Sequence, residues 1–250
     1  MILRFALMLG MLCLWTPAAQ ASVDPQQQNL QSIETDAYKM ATRYFMYTVT
    51  ERNPDQMDLL NNLIVQTQAL IDQVHDNKVA AAWEVYRKSL LNNPYDKQNM
   101  VVQSTLFNVQ HQIKPLIDAV QNAIASAHLP NNNNSNLIYQ QTVLIERMTA
   151  EYLLRASDPM GGSIVATTTS DADSEDPQQM AVEFSKNMDS LLHAYMSQKK
   201  VYAHLWNAYR YWNFIKVRMI DFNSKSVPYI VSTFNDNISS QLNSAYDAAN

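Results

Sequence analysis

Glycine is almost absent from this sequence. Of 250 residues only Gly10, Gly161 and Gly162 are glycine. Hairpin turns and phosphate-binding loops need backbone at positive φ, which glycine adopts without steric penalty. A hairpin-built sheet is therefore disfavoured, and a P-loop and a dinucleotide fingerprint are excluded. What remains is a helical chain, and the apolar residues agree. They recur every three or four positions through each long segment, the period of one helix face. Ile33, Ala37, Met40, Ala41, Tyr44 and Tyr47 mark a first helix over about 30–51.

Proline and short polar side chains punctuate the rest. Asn53-Pro54 stops the first helix and starts a second, because proline suits a first helical position. Asp76-Asn77 opens a third, and Asn92-Asn93-Pro94 ends it. A fourth spans about 97–127, with Pro115 predicting a kink. Residues 129–136, with Pro130 and a run of asparagines, form a polar break and the best domain boundary. Helices are then expected over 137–156, 177–195, 199–222 and 226–245. The stretch 158–176 holds Gly161-Gly162, a Thr/Ser run and a cluster of acids. It lacks the apolar residues to order itself, so a disordered acidic loop is expected.

The two halves resemble each other. Asn53-Pro54-Asp55-Gln56-Met57 matches Asp176-Pro177-Gln178-Gln179-Met180. Trp83-Glu84-Val85-Tyr86-Arg87 matches Trp206-Asn207-Ala208-Tyr209-Arg210. The interval from proline to tryptophan is 29 in both cases (83 − 54 and 206 − 177). Lys39-Met40-Ala41-Thr42-Arg43-Tyr44 aligns with Arg147-Met148-Thr149-Ala150-Glu151-Tyr152. Lys114-Pro115-Leu116-Ile117 aligns with Val227-Pro228-Tyr229-Ile230. The expected architecture is all-α: a tandem pair of antiparallel helical bundles related by internal duplication. The first unit would cover 22–129 and the second 130–250. Trp83, Tyr86, Trp206 and Tyr209 are then equivalent core residues; a binding box built from them is the competing reading.

The start of the sequence reads as a cleavable signal peptide over 1–21. Arg4 supplies positive charge, Phe5 to Trp15 an apolar run, and Ala19-Gln20-Ala21 a small-residue cleavage site. Cys13, the only cysteine, lies in that run behind Leu12, which argues against lipidation. A periplasmic protein is expected, with secretion as the other destination. The net charge of -5 is read as spread along the chain, with no basic patch for nucleic acid. His75, His111, His128, His193 and His204 form no H-x-x-x-H or E-x-x-H pair. There is no G-x-S-x-G elbow. These absences predict no catalysis, no metal and no cofactor.

Leu144-Ile145-Glu146-Arg147-Met148-Thr149-Ala150-Glu151-Tyr152-Leu153-Leu154 resembles the entry helix of a family of periplasmic sensor domains. Those domains occur in nitrate/nitrite sensor kinases and, as tandem units, in type IV pilus chemotaxis receptors. Phe184-x-x-x-Met188-x-x-Leu191 and the helix at Trp206 are similar to later helices of the same domain. The resemblance implies a ligand-sensing bundle and, at a homodimer interface, an arginine that binds a small anion. By position that residue is Arg147, with Lys39 its counterpart in the first unit. An ion pair of Arg147 with Glu151 is the alternative. The receptors continue into a transmembrane helix and a signalling module, whereas this sequence stops at Asn250. The expectation is an exported sensor-type protein that binds a small ligand or a membrane receptor and reports to an envelope or inner-membrane partner. The alternative is a structural or accessory subunit of an envelope machine such as a pilus or secretion system.

Overall fold

A computed structural model of the chain describes residues 24–127, 133–157, 177–220 and 227–250. Residues 1–21, read above as a signal peptide, and the stretch 158–176, read as an acidic loop, lie outside the described residues. The described residues are all-α. The helices are α1 (Pro25–Val49), α2 (Pro54–Val74), α3 (Asn77–Leu90) and α4 (Gln103–Ser126), then α5 (Asn133–Ser157), α6 (Pro177–Ala194), α7 (Lys199–Ile220) and α8 (Pro228–Ala249).

The helix starts follow the punctuation read from sequence. Asp24 accepts a hydrogen bond from the Gln26 amide at 2.7 Å, with Pro25 in the first turn of α1. Asn53 does the same for Asp55 at 3.0 Å ahead of Pro54. Asp76 caps α3 by accepting from Lys78 and Val79. Each cap satisfies amides that have no carbonyl partner one turn back. Two bounds differ from expectation. Residues 97–102 are not helical; Tyr95 pairs with Val101 across a short bridge, and the Asp96 carboxylate accepts from the Gln98 and Met100 amides. That local bonding competes with the helix and delays α4 to Gln103. Conversely, part of the asparagine run joins α5, which begins at Asn133. Pro115 sits inside α4 as expected, flanked by buried Ile113, Leu116 and Ile117.

α1 packs along α2 and α4, and α3 along α4. α5 packs along α6 and α8, and α7 lies between α6 and α8. The two bundles meet through α1 against α5, with α8 also touching α1. This explains why α1 and α5 bury more than one face. Leu30, Ile33, Ala37, Met40, Ala41, Tyr44, Phe45 and Met46 are all at most 1 % exposed. A surface helix would show one apolar stripe; a helix shared by two bundles needs two.

Buried positions in α1 and α5 correspond at the spacing seen in sequence: Ala37 with Ile145, Met40 with Met148, Tyr44 with Tyr152, Phe45 with Leu153. The third helices do not follow their sequence match. Trp83 is fully buried, but Trp206 is 44 % exposed. The buried stripe of α7 is Val201, Leu205, Ala208, Trp212, Ile215 and Met219. Trp206 follows Leu205 by one position, about 100° around the helix, which carries it off the core. Trp212 is the core tryptophan instead. Its indole donates to the Ser185 hydroxyl on α6 at 2.9 Å, as the Trp83 indole donates to Gln68 on α2 at 2.7 Å. The fourth-helix match fails too: Leu116 is buried, while Tyr229 is 68 % exposed.

Candidate functional site

α1 carries a stripe of polar residues along one side: Gln28, Gln31, Ser32, Thr35, Asp36 and Lys39. These positions recur at helical spacing, so they share a face. Because α1 lies where the bundles join, that face opens between α2 and α8. The result is a cleft of about 550 Å³. Gln66, Ala69 and Leu70 of α2 line one wall; Asn243, Tyr246 and Asp247 of α8 line the other, and Tyr139 of α5 completes the lining. Helices of both bundles therefore enclose the same space.

Its deeper groups are held in place. Tyr246 donates its hydroxyl to Gln31 Oε1 at 2.8 Å, joining α8 to α1. Tyr139 donates to Glu34 Oε2, and Gln121 Nε2 donates to the other Glu34 oxygen at 2.9 Å. Glu34 is 4 % exposed. Burial pushes its pKa up, and the Tyr139 and Gln121 hydrogen bonds offset part of that rise. Asp36 is likewise raised by burial, partly countered by Lys39 and by Thr67. The rim is less engaged. The side chains of Gln28, Gln66 and Asn243 make no hydrogen bond, and Asp247 no ion pair, among the described contacts.

The structure places both sequence candidates beside carboxylates of their own helix. Lys39 lines the cleft, 3.8 Å from Asp36. Arg147 Nε lies 3.1 Å from Glu151 Oε1, the pairing weighed from sequence, and its charge also acts on Tyr38 of α1. No described contact brings Lys39 and Arg147 together. Next to Arg147 in sequence and within reach of the Lys39 charge, the helix interface holds a further polar group. Glu146 is fully buried and accepts from Asn235 Nδ2 at 2.8 Å, while its second oxygen, near Ser239, makes no hydrogen bond of good geometry among the described residues. Burial raises its pKa despite the nearby Lys39 charge. Arg43 and Asp236 bridge α1 to α8 beside it at 2.6 Å.

Sequence reading missed most of this cleft. Gln31 and Tyr246 meet across 215 positions, and Glu34 and Tyr139 across 105. Neither pair forms a local motif. The available signal was the polar stripe itself, on a helix whose other faces are apolar. No family model, curated protein or solved structure matches the chain.

Proposed function

We propose that this chain is an exported, non-catalytic binding protein of the sensor type, built from two copies of one helical unit, which takes a small ligand in the cleft between its bundles. The observation that carries this reading is that α1, α2, α5 and α8 all contribute to one lining. A molecule held there contacts both bundles, so its binding energy acts on how they pack. That is what a domain reporting to an envelope partner needs. The tethering of each third-to-fourth connection by a tyrosine at the matching place in α1 and α5 supports the duplication. Tyr44 donates to the Asn92 carbonyl, and the Tyr152 hydroxyl accepts from the Val227 amide.

The lining chemistry favours a neutral or cationic ligand over an anion. It holds one cation, Lys39, already beside Asp36, and a second carboxylate, Asp247. Carboxamides and hydroxyls supply both donors and acceptors. Polyhydroxylated molecules and small amines match that set better than nitrate does. The test is thermal unfolding with sugars, small amines and small anions. Ligand binding to the folded state raises Tm by mass action, worth about 2.7 kcal/mol at a concentration one hundred times Kd. Ala69→Trp, at an exposed wall position, should abolish the shift without harming the fold. A shift with anions that disappears in Arg147→Ala would move the site to Arg147.

The second reading is the structural or accessory subunit of an envelope machine. The ion-paired state of Lys39 and Arg147 favours it, since neither charge awaits a ligand. Absence of any stabilising compound would leave it the better account.

A further inference from the structure

The charge of this protein is not spread evenly, contrary to the sequence expectation. α7 contains Lys199, Lys200, Arg210, Lys216 and Arg218 and no acidic residue. With the whole chain at -5, the remaining residues carry −5 − 5 = −10. Lys199, Lys200, Arg210 and Lys216 make no ion pair among the described residues.

The same helix exposes large apolar side chains. Its buried stripe is complete without them, yet Trp206 is 44 %, Phe214 62 % and Val217 60 % exposed. Tyr202 stacks parallel to Trp206 with ring centroids 6.5 Å apart, and Phe214 stacks on Phe234 of α8 at 4.5 Å. At the adjoining start of α8, Tyr229 and Ile230 are also exposed. At about 100° per residue Lys199, Trp206, Arg210, Phe214 and Val217 fall within about 40° of one outward direction, so cations and aromatic groups alternate along that face.

We propose that the outer face of α7 docks on a membrane surface rich in anionic phospholipid. Charge complementarity selects the surface: a uniformly basic helix on an acidic protein orients towards phosphate headgroups. The interleaving selects lipid over an acidic protein. Protein interfaces are depleted in lysine at their cores, whereas an interfacial helix keeps lysine and arginine at the headgroups beside Trp and Phe at the acyl boundary. No described helix is long and apolar enough to cross a bilayer, so the contact is peripheral. This docking is independent of the cleft.

The test is co-sedimentation with vesicles of phosphatidylcholine alone or with about a third phosphatidylglycerol. The chain from Ser22 onward is used, since it holds every described helix. Sedimentation with anionic vesicles only, weakened at least tenfold by Lys199→Glu/Lys200→Glu/Arg210→Glu and by high salt, is the expected result. Trp83 and Trp212 are fully buried, so a blue shift of emission on binding should come from Trp206 and vanish in Trp206→Phe. Equal uptake by neutral vesicles, or no uptake at low salt, overturns the proposal. So does salt-sensitive association without a Trp206 shift, the behaviour of a charged site meant for an acidic protein.

Discussion

Trp83 and Trp206 occupy the same place in the sequence match and opposite places in the molecule. Trp83 is enclosed and hydrogen-bonded to Gln68; Trp206 lies against Tyr202 and Tyr209 at the surface. Trp83→Ala should therefore cost about 3–5 kcal/mol, the range for a truncated buried aromatic. Trp206→Ala should cost below about 0.5 kcal/mol. Urea unfolding of both variants measures the contrast. Glu146 poses a different residue-scale question. Its folded-state pKa is raised above the ordinary 4.5 by burial, with Lys39 on the opposing side of the balance and Asp236 adding to the rise. A raised carboxyl pKa means the folded state holds the proton more tightly. Stability is then highest at acidic pH and falls as pH rises from 4.5 towards the folded value. Glu34 and Asp36, raised for the same reason, add to that slope. Glu146→Gln keeps the shape and the acceptor for Asn235 but cannot ionise. It should flatten the fall in stability as pH rises above 4.5 and melt no lower than wild type at neutral pH. An unchanged slope would assign the pH dependence to the other two acids.

The helices and most of their starts, those of α4 and α5 excepted, were legible because each rests on local chemistry. Asn53-Pro54 and Asp76 announce caps that need only their own neighbours. The burial of α1 and α5 was legible too, since both carry apolar residues on more than one face. Legibility ended where a match depends on how a helix is rotated. W-x-x-Y-R is the same string in α3 and α7, but one step of rotation takes Trp206 outward and Trp212 inward. Nothing within seven or eight residues records which neighbour a helix will face. The connections between elements offer a prediction at this scale. Tyr44 and Tyr152 tie their central helices to the segments ahead of α4 and α8 at 2.8 and 2.9 Å. Tyr44→Phe and Tyr152→Phe should each cost about 0.5–1.5 kcal/mol, the net worth of one hydrogen bond, with the larger loss for Tyr152→Phe because the Val227 amide is left without its acceptor. A neutral result for both would mean that the helices are placed by packing alone.

At the scale of the molecule, the arrangement has a consequence that neither bundle has by itself. The polar face of α1 would be an ordinary solvated stripe in a single bundle. Placed between α2 and α8 it becomes the floor of a cleft. Gln31–Tyr246 and Arg43–Asp236 fasten α1 to α8 near the two ends of that face. The sequence could not show this, because a cleft of carboxamides, hydroxyls and one ion pair has no motif and forms only after distant helices pack. Occupancy of the cleft and the spacing of its walls should therefore be linked. The chain from Ser22 has no cysteine, so spin labels can be placed at Gln66→Cys and Asn243→Cys on opposite walls without further changes. The measurement is the label-to-label distance distribution, taken with each of the sugars, amines and anions tested for stabilisation. One ligand class should narrow or shift the distribution, and Ala69→Trp should remove that response. A distribution unmoved by every class would contradict a ligand cleft and leave the bundles as a scaffold.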